Sequence, residues 1–333
     1  MLIEAPSAMA GLHIAEHLRI PYFQAFTMPF TRTRAYPHPF AVPERNMGGS
    51  YNYMTHVLME QIWWKGISAQ INRWRKKELG LGKIELGNVA ELKFPFLYCF
   101  SPAIVPPPND WHDWIHPCGY WFLDNPDLNW KPDDSLVKFL AIEPKPLYIG
   151  FGSVVVQDPE EMTRTIIEAC RKAGVRAILS KGWSGRMTKN YEQFEFPDFI
   201  FPVNSVPHDW LFPRVAGVVH HGSFNHSIPA NLQLIFFAAL GGAGTTAAGI
   251  RAGVPTVIKP WFGDQYIWGD RVQDMGIGVS IKKLTVEKLS QAMTDITNDS
   301  RIVERAKIVG KRIRSVRIKF CFEIQLSLIL TEM

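Results

Sequence analysis

At 333 residues, with 47% apolar and 20% charged residues, the chain has the length and composition of a globular protein of two domains, which excludes a disordered or fibrous one. Its net charge of +5 is not a general basic surface: residues 301–319 hold eight basic residues and one acid, Glu304, and the remainder is slightly acidic. No nucleic-acid partner is expected, and the basic stretch reads as a solvated helix face, with anionic lipid as the alternative. Four scattered cysteines, Cys99, Cys118, Cys170 and Cys321, lack C-x-x-C spacing, which argues against a metal site or disulfide framework and fits a reducing compartment.

Met1-Leu2-Ile3-Glu4 has no basic region or cleavage pattern, so no secretory leader is expected. The most apolar runs, 232–240 and 320–330, are far shorter than the roughly 20 residues of a membrane span, so a soluble, cytoplasmic protein is expected. Residues 2–4 read as the end of a buried strand, 7–18 have helical spacing, and 20–26 read as a strand. A chain that opens within a β-α-β pattern implies strands that precede it. Residues 51–79, with Trp63 and Trp64, form a long helical stretch. The seven prolines of 101–132 indicate loops and a linker, with the domain boundary near Asp127.

Beyond the linker the alternation is regular. Strands are expected at 147–151, 176–180, 199–203, 215–221, 255–259 and 278–281, with helices between them. Asp158-Pro159-Glu160-Glu161 supplies an N-cap acid, a proline at the first helical position and a Glu at the third, and Gly174 ends that helix. Such a pattern makes a doubly wound parallel sheet that binds ligands at the carboxyl ends of its strands.

Three segments carry chemistry. The run Gly242-Ala243-Gly244-Thr245-Thr246-Ala247-Ala248-Gly249 opens a helix, whose free N–H groups and threonine hydroxyls suit a phosphate. It is neither a Walker A loop nor a dinucleotide fingerprint, and alone it is weak evidence. In Lys259-Pro260-Trp261-Phe262-Gly263-Asp264-Gln265, adjacent carboxylate and amide side chains can bond vicinal sugar hydroxyls, although Asp264 also reads as a plain helix N-cap. The turn Val206-Pro207-His208-Asp209-Trp210 can hold a nucleobase edge, or His208 can be a capping or surface histidine.

As a set, these segments, with Gly150-Phe151-Gly152-Ser153, Lys181-Gly182-Trp183 and His220-His221-Gly222, resemble the UDP-sugar site of the GT-B glycosyltransferases. The resemblance is to the fungal sterol 3-beta-glucosyltransferases. It extends through Glu4-Ala5-Pro6-Ser7 and Thr27-Met28-Pro29-Phe30 and covers nearly everything from Leu2 to about Arg314.

It implies an α/β GT-B fold of two Rossmann-like domains. Residues 1–126 are what the sequence holds of the acceptor-binding domain plus the linker, and 127–314 form the UDP-sugar domain. Val206 and His208 are placed at the uridine; Ser153, His221, Gly242, Ala243, Gly244, Thr245 and Thr246 around the diphosphate; Asp264 and Gln265 at the glucose. The implied reaction transfers glucose from UDP-glucose to a sterol 3-beta-hydroxyl with inversion, without a metal or other cofactor, backbone N–H groups stabilising the departing diphosphate. Because sterols reside in bilayers, peripheral membrane contact is a further expectation.

Three departures bear on activity. The family's opening Gly-rich strand-turn, which resembles Gly-Ser-Arg-Gly-Asp-Val-Gln-Pro and belongs to the half-domain that supplies the general base, is not in this sequence. His13 reads as structural, so no catalytic residue is assigned. Nineteen residues, 223–241, interrupt the family's His-His-Gly-Gly-Ala-Gly-Thr-Thr pattern, and their strand-like end, 234–240, is a candidate to displace 215–221 from the sheet and carry His221 away. Residues 315–333 do not resemble the family's final helix. The insertion and tail read as translated intron sequence, the alternative being a lineage-specific insertion and tail. Other expected outcomes are another lipid or polyketide acceptor, a non-catalytic UDP-sugar-binding fragment, or a non-functional fragment.

Overall fold

The computed structural model describes residues 1–6, 9–85, 93–122, 130–152, 158–181, 195–221 and 243–315. They divide into two compact units, one of Met1–Trp121 and one from Phe122 onward. Asp127 lies outside the described residues, as do 223–241 and 316–333.

The first unit is a parallel sheet in the order β1-β2-β3-β4, made of Leu2–Glu4, Tyr22–Phe26, Phe96–Tyr98 and Ile115–Pro117. Helix α1 (Gly11–Leu18) links β1 to β2, and the 29-residue α2 (Gly49–Lys77) lies between β2 and β3. Two sequence readings need correction. β1 is not a buried strand end, since Ile3 is 39% exposed. Strand β4 lies inside the expected linker: as the last strand in the order it tolerates Pro117, which cannot donate to a ladder. Chain pairing resumes just beyond, where Cys118 N–H donates to Tyr98 O at 2.8 Å.

The second unit begins with α3 (Asp134–Leu140), followed by β5 (Leu147–Gly150), α4 (Pro159–Ala173), β6 (Ala177–Ser180) and β7 (Ile200–Val203). Then come α5 (His208–Leu211), β8 (Gly217–His220), α6 (Ala243–Ala252), β9 (Thr256–Ile258) and α7 (Gln265–Asp274). Strand β10 (Gly278–Ser280) and helices α8 (Val286–Asn298) and α9 (Ser300–Ser315) complete it. The sheet order is β10-β9-β8-β5-β6-β7, every pairing parallel.

Its strands are short runs buried on both faces, as helices on either side require. Leu147, Ile149, Phe151, Val219 and Val257 pack with Met162 and Ile166 of α4 and Leu289 and Ile296 of α8. The alternate residues Tyr148, Ile178 and Val218 pack with Leu136 and Phe139 of α3 and with Leu211 and Phe212. Helix α4 starts as its sequence dictates: Asp158 Oδ1 accepts from Glu161 N–H at 2.9 Å, and Gly174 closes it at φ 65°.

Candidate functional site

The connections from β5 run to β6 and β7 on one side, while β8 and β9 lie on the other. That makes the junction of β5 and β8 the sheet's topological switch point, where a crevice opens at the carboxyl ends of the strands. Gly150 and His220 pair across it, and Phe151, Gly152 and His221 follow them. Gly152 has φ 56°, and a Cβ placed there would lie 2.8 Å from Cε1 of His221. Only glycine lets the two strand ends approach so closely. The structure therefore corrects the expected displacement of 215–221, because β8 holds its place between β5 and β9.

Helix α6 starts at Ala243, after β8 in the chain, with Gly244, Thr245 and Thr246 in its first turn. Both threonines are buried. Gly242 and Ser153 lie outside the described residues. Burial holds the His221 imidazole far below its ordinary value, at about 3, and its Nδ1 has no hydrogen-bond partner. His220 is pushed well down by burial and by the neighbouring His221 and His208.

On the far side of β5, His208 begins α5 beyond the end of β7. It is not a surface or capping histidine. Its ring stacks on Phe212 at 4.5 Å and its Nε2 lies 3.3 Å from the Tyr148 hydroxyl, and burial lowers its pKa to about 4. Val206 is partly buried two residues earlier.

Beyond β9, Asp264 occupies the N-cap position of α7, but its side chain does not cap the helix. Its Oδ2 accepts the Trp268 indole N–H at 2.8 Å, and burial pushes the carboxyl up to about 7. Gln265 is fully buried: Oε1 accepts from the backbone of Trp261 at 2.7 Å, while Nε2 has no partner. Trp261, not singled out from sequence, connects these parts. Its ring lies edge-on to Phe151 at 5.2 Å and to His221 at 6.3 Å, and carries Lys259 Nζ 3.8 Å above its centroid. Its place between a strand end and a helix start, after a proline, was the only sequence signal.

The first unit holds a separate cavity of about 500 Å³ that sequence reasoning missed. Trp63, Trp64, Trp114 and Phe94 give it apolar walls, with Gln24 and His13 among its polar groups. His13 accepts from Arg75 at 2.8 Å, and Arg75 also bridges to Glu16 at 2.6 Å. Burial, then the Arg75 charge, lowers the His13 imidazole to about 4. Among the described residues no group of three or more His, Cys, Asp or Glu could hold a metal ion, and no helix is long and apolar enough to cross a membrane.

Comparison with known proteins places this arrangement. Residues 234–315 match the family described as Erythromycin biosynthesis protein CIII-like, C-terminal domain. A sterol 3-beta-glucosyltransferase of Cryptococcus neoformans is 49% identical over 332 residues, covering 94% of this chain and 20% of that protein. One from Emericella nidulans is 50% identical over 322 residues, covering 95% of this chain and 22% of its own length. The chain thus spans about a fifth of the length of these curated relatives. Among solved structures, the glycotransferase of kitacinnamycin superposes with a TM-score of 0.65 at 18% identity, over 94% of this chain and 72% of that one. A glycosyltransferase from Streptomyces nogalater gives 0.59 at 17%, over 98% and 72%. These likenesses show the fold, which is GT-B.

Proposed function

We propose, from the premise that this chain has the GT-B glycosyltransferase fold and is homologous to one stretch of the sterol 3-beta-glucosyltransferases, that it binds UDP-glucose for transfer to a sterol hydroxyl. The observation that carries this reading is the meeting of Gly152 and His221 at the switch point between β5 and β8.

The donor lies along the carboxyl edge of the second unit's sheet. Val206 and His208 border the uridine. The N-terminus of α6, from Ala243 through Gly244, Thr245 and Thr246, faces the diphosphate with Ser153, Gly242 and His221, whose neutral imidazole donates one N–H. Asp264 and Gln265 border the glucose, where the unpartnered Nε2 of Gln265 is a ready donor. The acceptor oxygen attacks the anomeric carbon from the face opposite UDP, so the configuration inverts. The breaking C–O bond leaves its electron pair on the phosphate, and backbone N–H groups at the positive end of α6 stabilise that charge without a metal.

The aromatic cavity of the first unit has the size range of pockets that hold small apolar ligands, and its tryptophan walls suit a sterol ring system. Contact with a bilayer surface, where such acceptors reside, belongs to the same reading.

Calorimetric titration with UDP tests it, using the full chain, His221→Ala and a chain lacking 223–241. Saturable binding weakened about tenfold or more in His221→Ala is the expected result, the loss of one hydrogen bond to a charged group. Absence of UDP binding both with and without 223–241 overturns the reading.

A further inference from the structure

We propose that Lys259 is a diphosphate-binding residue, its ammonium providing side-chain positive charge against the donor phosphates at the carboxyl end of β9. The inference rests on the donor reading above and adds a residue to it.

Lys259 is only 7% exposed, yet its partners are a single carbonyl, Pro260 O at 2.7 Å, and the face of Trp261. An ammonium has three N–H donors, and desolvating one is costly unless an anion or several acceptors compensate. Among the described residues the other deeply buried lysine or arginine, Arg75 at 3% exposure, shows the ordinary solution: it pairs with the carboxylate of Glu16 at 2.6 Å. Lys259 has no carboxylate partner among the described residues. The titratable groups on the elements beside it are His220 at the end of β8, His221 just after it and Asp264 before α7, and Asp264 spends Oδ2 on the Trp268 indole. Burial accordingly lowers the Lys259 amine to about 8.

Its position indicates which anion is missing. The Lys259 backbone N–H donates to His220 O at 2.9 Å, tying it to the end of β8, which His221 follows. Its ammonium and the His221 ring contact the same indole. His221 Nδ1 and Gln265 Nε2, both on buried side chains, also lack partners. Three side chains with buried, under-satisfied nitrogens therefore lie along the carboxyl edge of the sheet. An anion with several oxygens satisfies them together, and a nucleoside diphosphate has that chemistry. As the sugar–phosphate bond breaks, negative charge grows on the diphosphate, and an ammonium in a dry site opposes that charge more strongly than in water.

Titration calorimetry of the full chain with UDP and with uridine, at pH 8.5 in buffers of different ionisation enthalpy, reads both affinity and proton uptake. At that pH about three-quarters of an amine with a pKa of about 8 is neutral, so UDP is expected to draw up to ~0.7 proton onto Lys259. The Lys259 variants separate this uptake from any at His221, at about 3, or Asp264, at about 7, in the free chain. Lys259→Gln is expected to lose that uptake and weaken UDP about 10- to 100-fold, while uridine binds all variants alike. Lys259→Arg, permanently charged, is expected to retain most of the UDP affinity without the uptake. Unfolding midpoints confirm that each variant is folded. Undiminished UDP affinity in Lys259→Gln, or unchanged uptake in Lys259→Arg, overturns the role of Lys259 and leaves the donor reading standing. Absence of UDP binding by the native chain overturns both.

Discussion

The two units differ in what they add to apolar burial. The second packs apolar side chains against both faces of six strands, and its buried groups without partners collect at one edge. The first also buries apolar side chains, Met28, Phe96, Phe100, Ile104 and Val105 among them, and adds long-range polar clasps. Arg32 bonds Glu60 at 2.5 Å, Arg75 bonds Glu16, and the buried Tyr98 hydroxyl accepts from the backbone of Phe30 and Thr31 at 2.8 and 2.7 Å. Area-proportional burial stabilises both, and directional bonds of modest net value add to it in the first. A structural element of the second unit can thus be recognised from its own pattern, whereas one in the first is defined by a partner dozens of residues away.

The largest effect should come from the second unit. Trp268→Ala removes a fully buried indole and leaves Asp264 without its donor, and should cost about 3–5 kcal/mol. Arg75→Met in the first unit should cost about 1–3 kcal/mol, because Glu16, 43% exposed, becomes solvated once its partner is gone. Urea unfolding of both variants ranks them, and a greater cost for Arg75→Met would reverse the comparison.

A pH series sharpens it. Burial raises the Asp264 carboxyl from 3.8 to about 7, so the folded state holds this proton more tightly than the unfolded state. The resulting cost is absent below about pH 4, grows as pH rises, and is complete above about pH 7. The buried histidines act in the opposite sense. His13 and His208 at about 4, and His38 and His221 at about 3, lie below the unfolded value of 6.5. Stability in both units is therefore lost as pH falls below about 6.5. Asp264→Asn should match the native chain at pH 4 and exceed it by about 2–4 kcal/mol at pH 8, measured without nucleotide. An equal advantage at both pH values would mean that the carboxyl does not titrate in this range.

Much of the second unit was legible because each cue was local. The alternation of strands and helices from residue 147 onward, the helix start at Asp158 and its stop at Gly174 all appear where the residues put them. So did the residues at the switch point, since glycines and histidines after strands are visible as a string. Trp261 and Lys259 were not, because their meaning lies in a shared contact with His221 and Phe151 that no spacing displays. Nor was β4, a three-residue strand ending in proline whose pairing comes from Phe96–Tyr98.

Helix capping reduces the contrast to two carboxylates. Asp158 caps α4 from the adjacent position and holds one N–H, that of Glu161. Helix α1 has no side-chain cap at Ala10; Glu4, from β1, accepts from Gly11 at 2.9 Å and Leu12 at 3.2 Å, and from the Tyr22 hydroxyl at 2.6 Å. One side chain thus joins two strands and a helix, which no sequence window around α1 reveals. Glu4→Ala should cost about 2 kcal/mol, several charge-assisted bonds lost at a partly buried site, and Asp158→Ala about 1 kcal/mol for one exposed cap. Amide exchange tells local from tertiary capping. Asp158→Ala should speed exchange only in the first turn of α4, whereas Glu4→Ala should also speed it at Gln24 and Phe96, whose N–H groups bond Pro95 O and Trp114 O across the sheet. Exchange confined to α1 in Glu4→Ala would make that cap as local as the other.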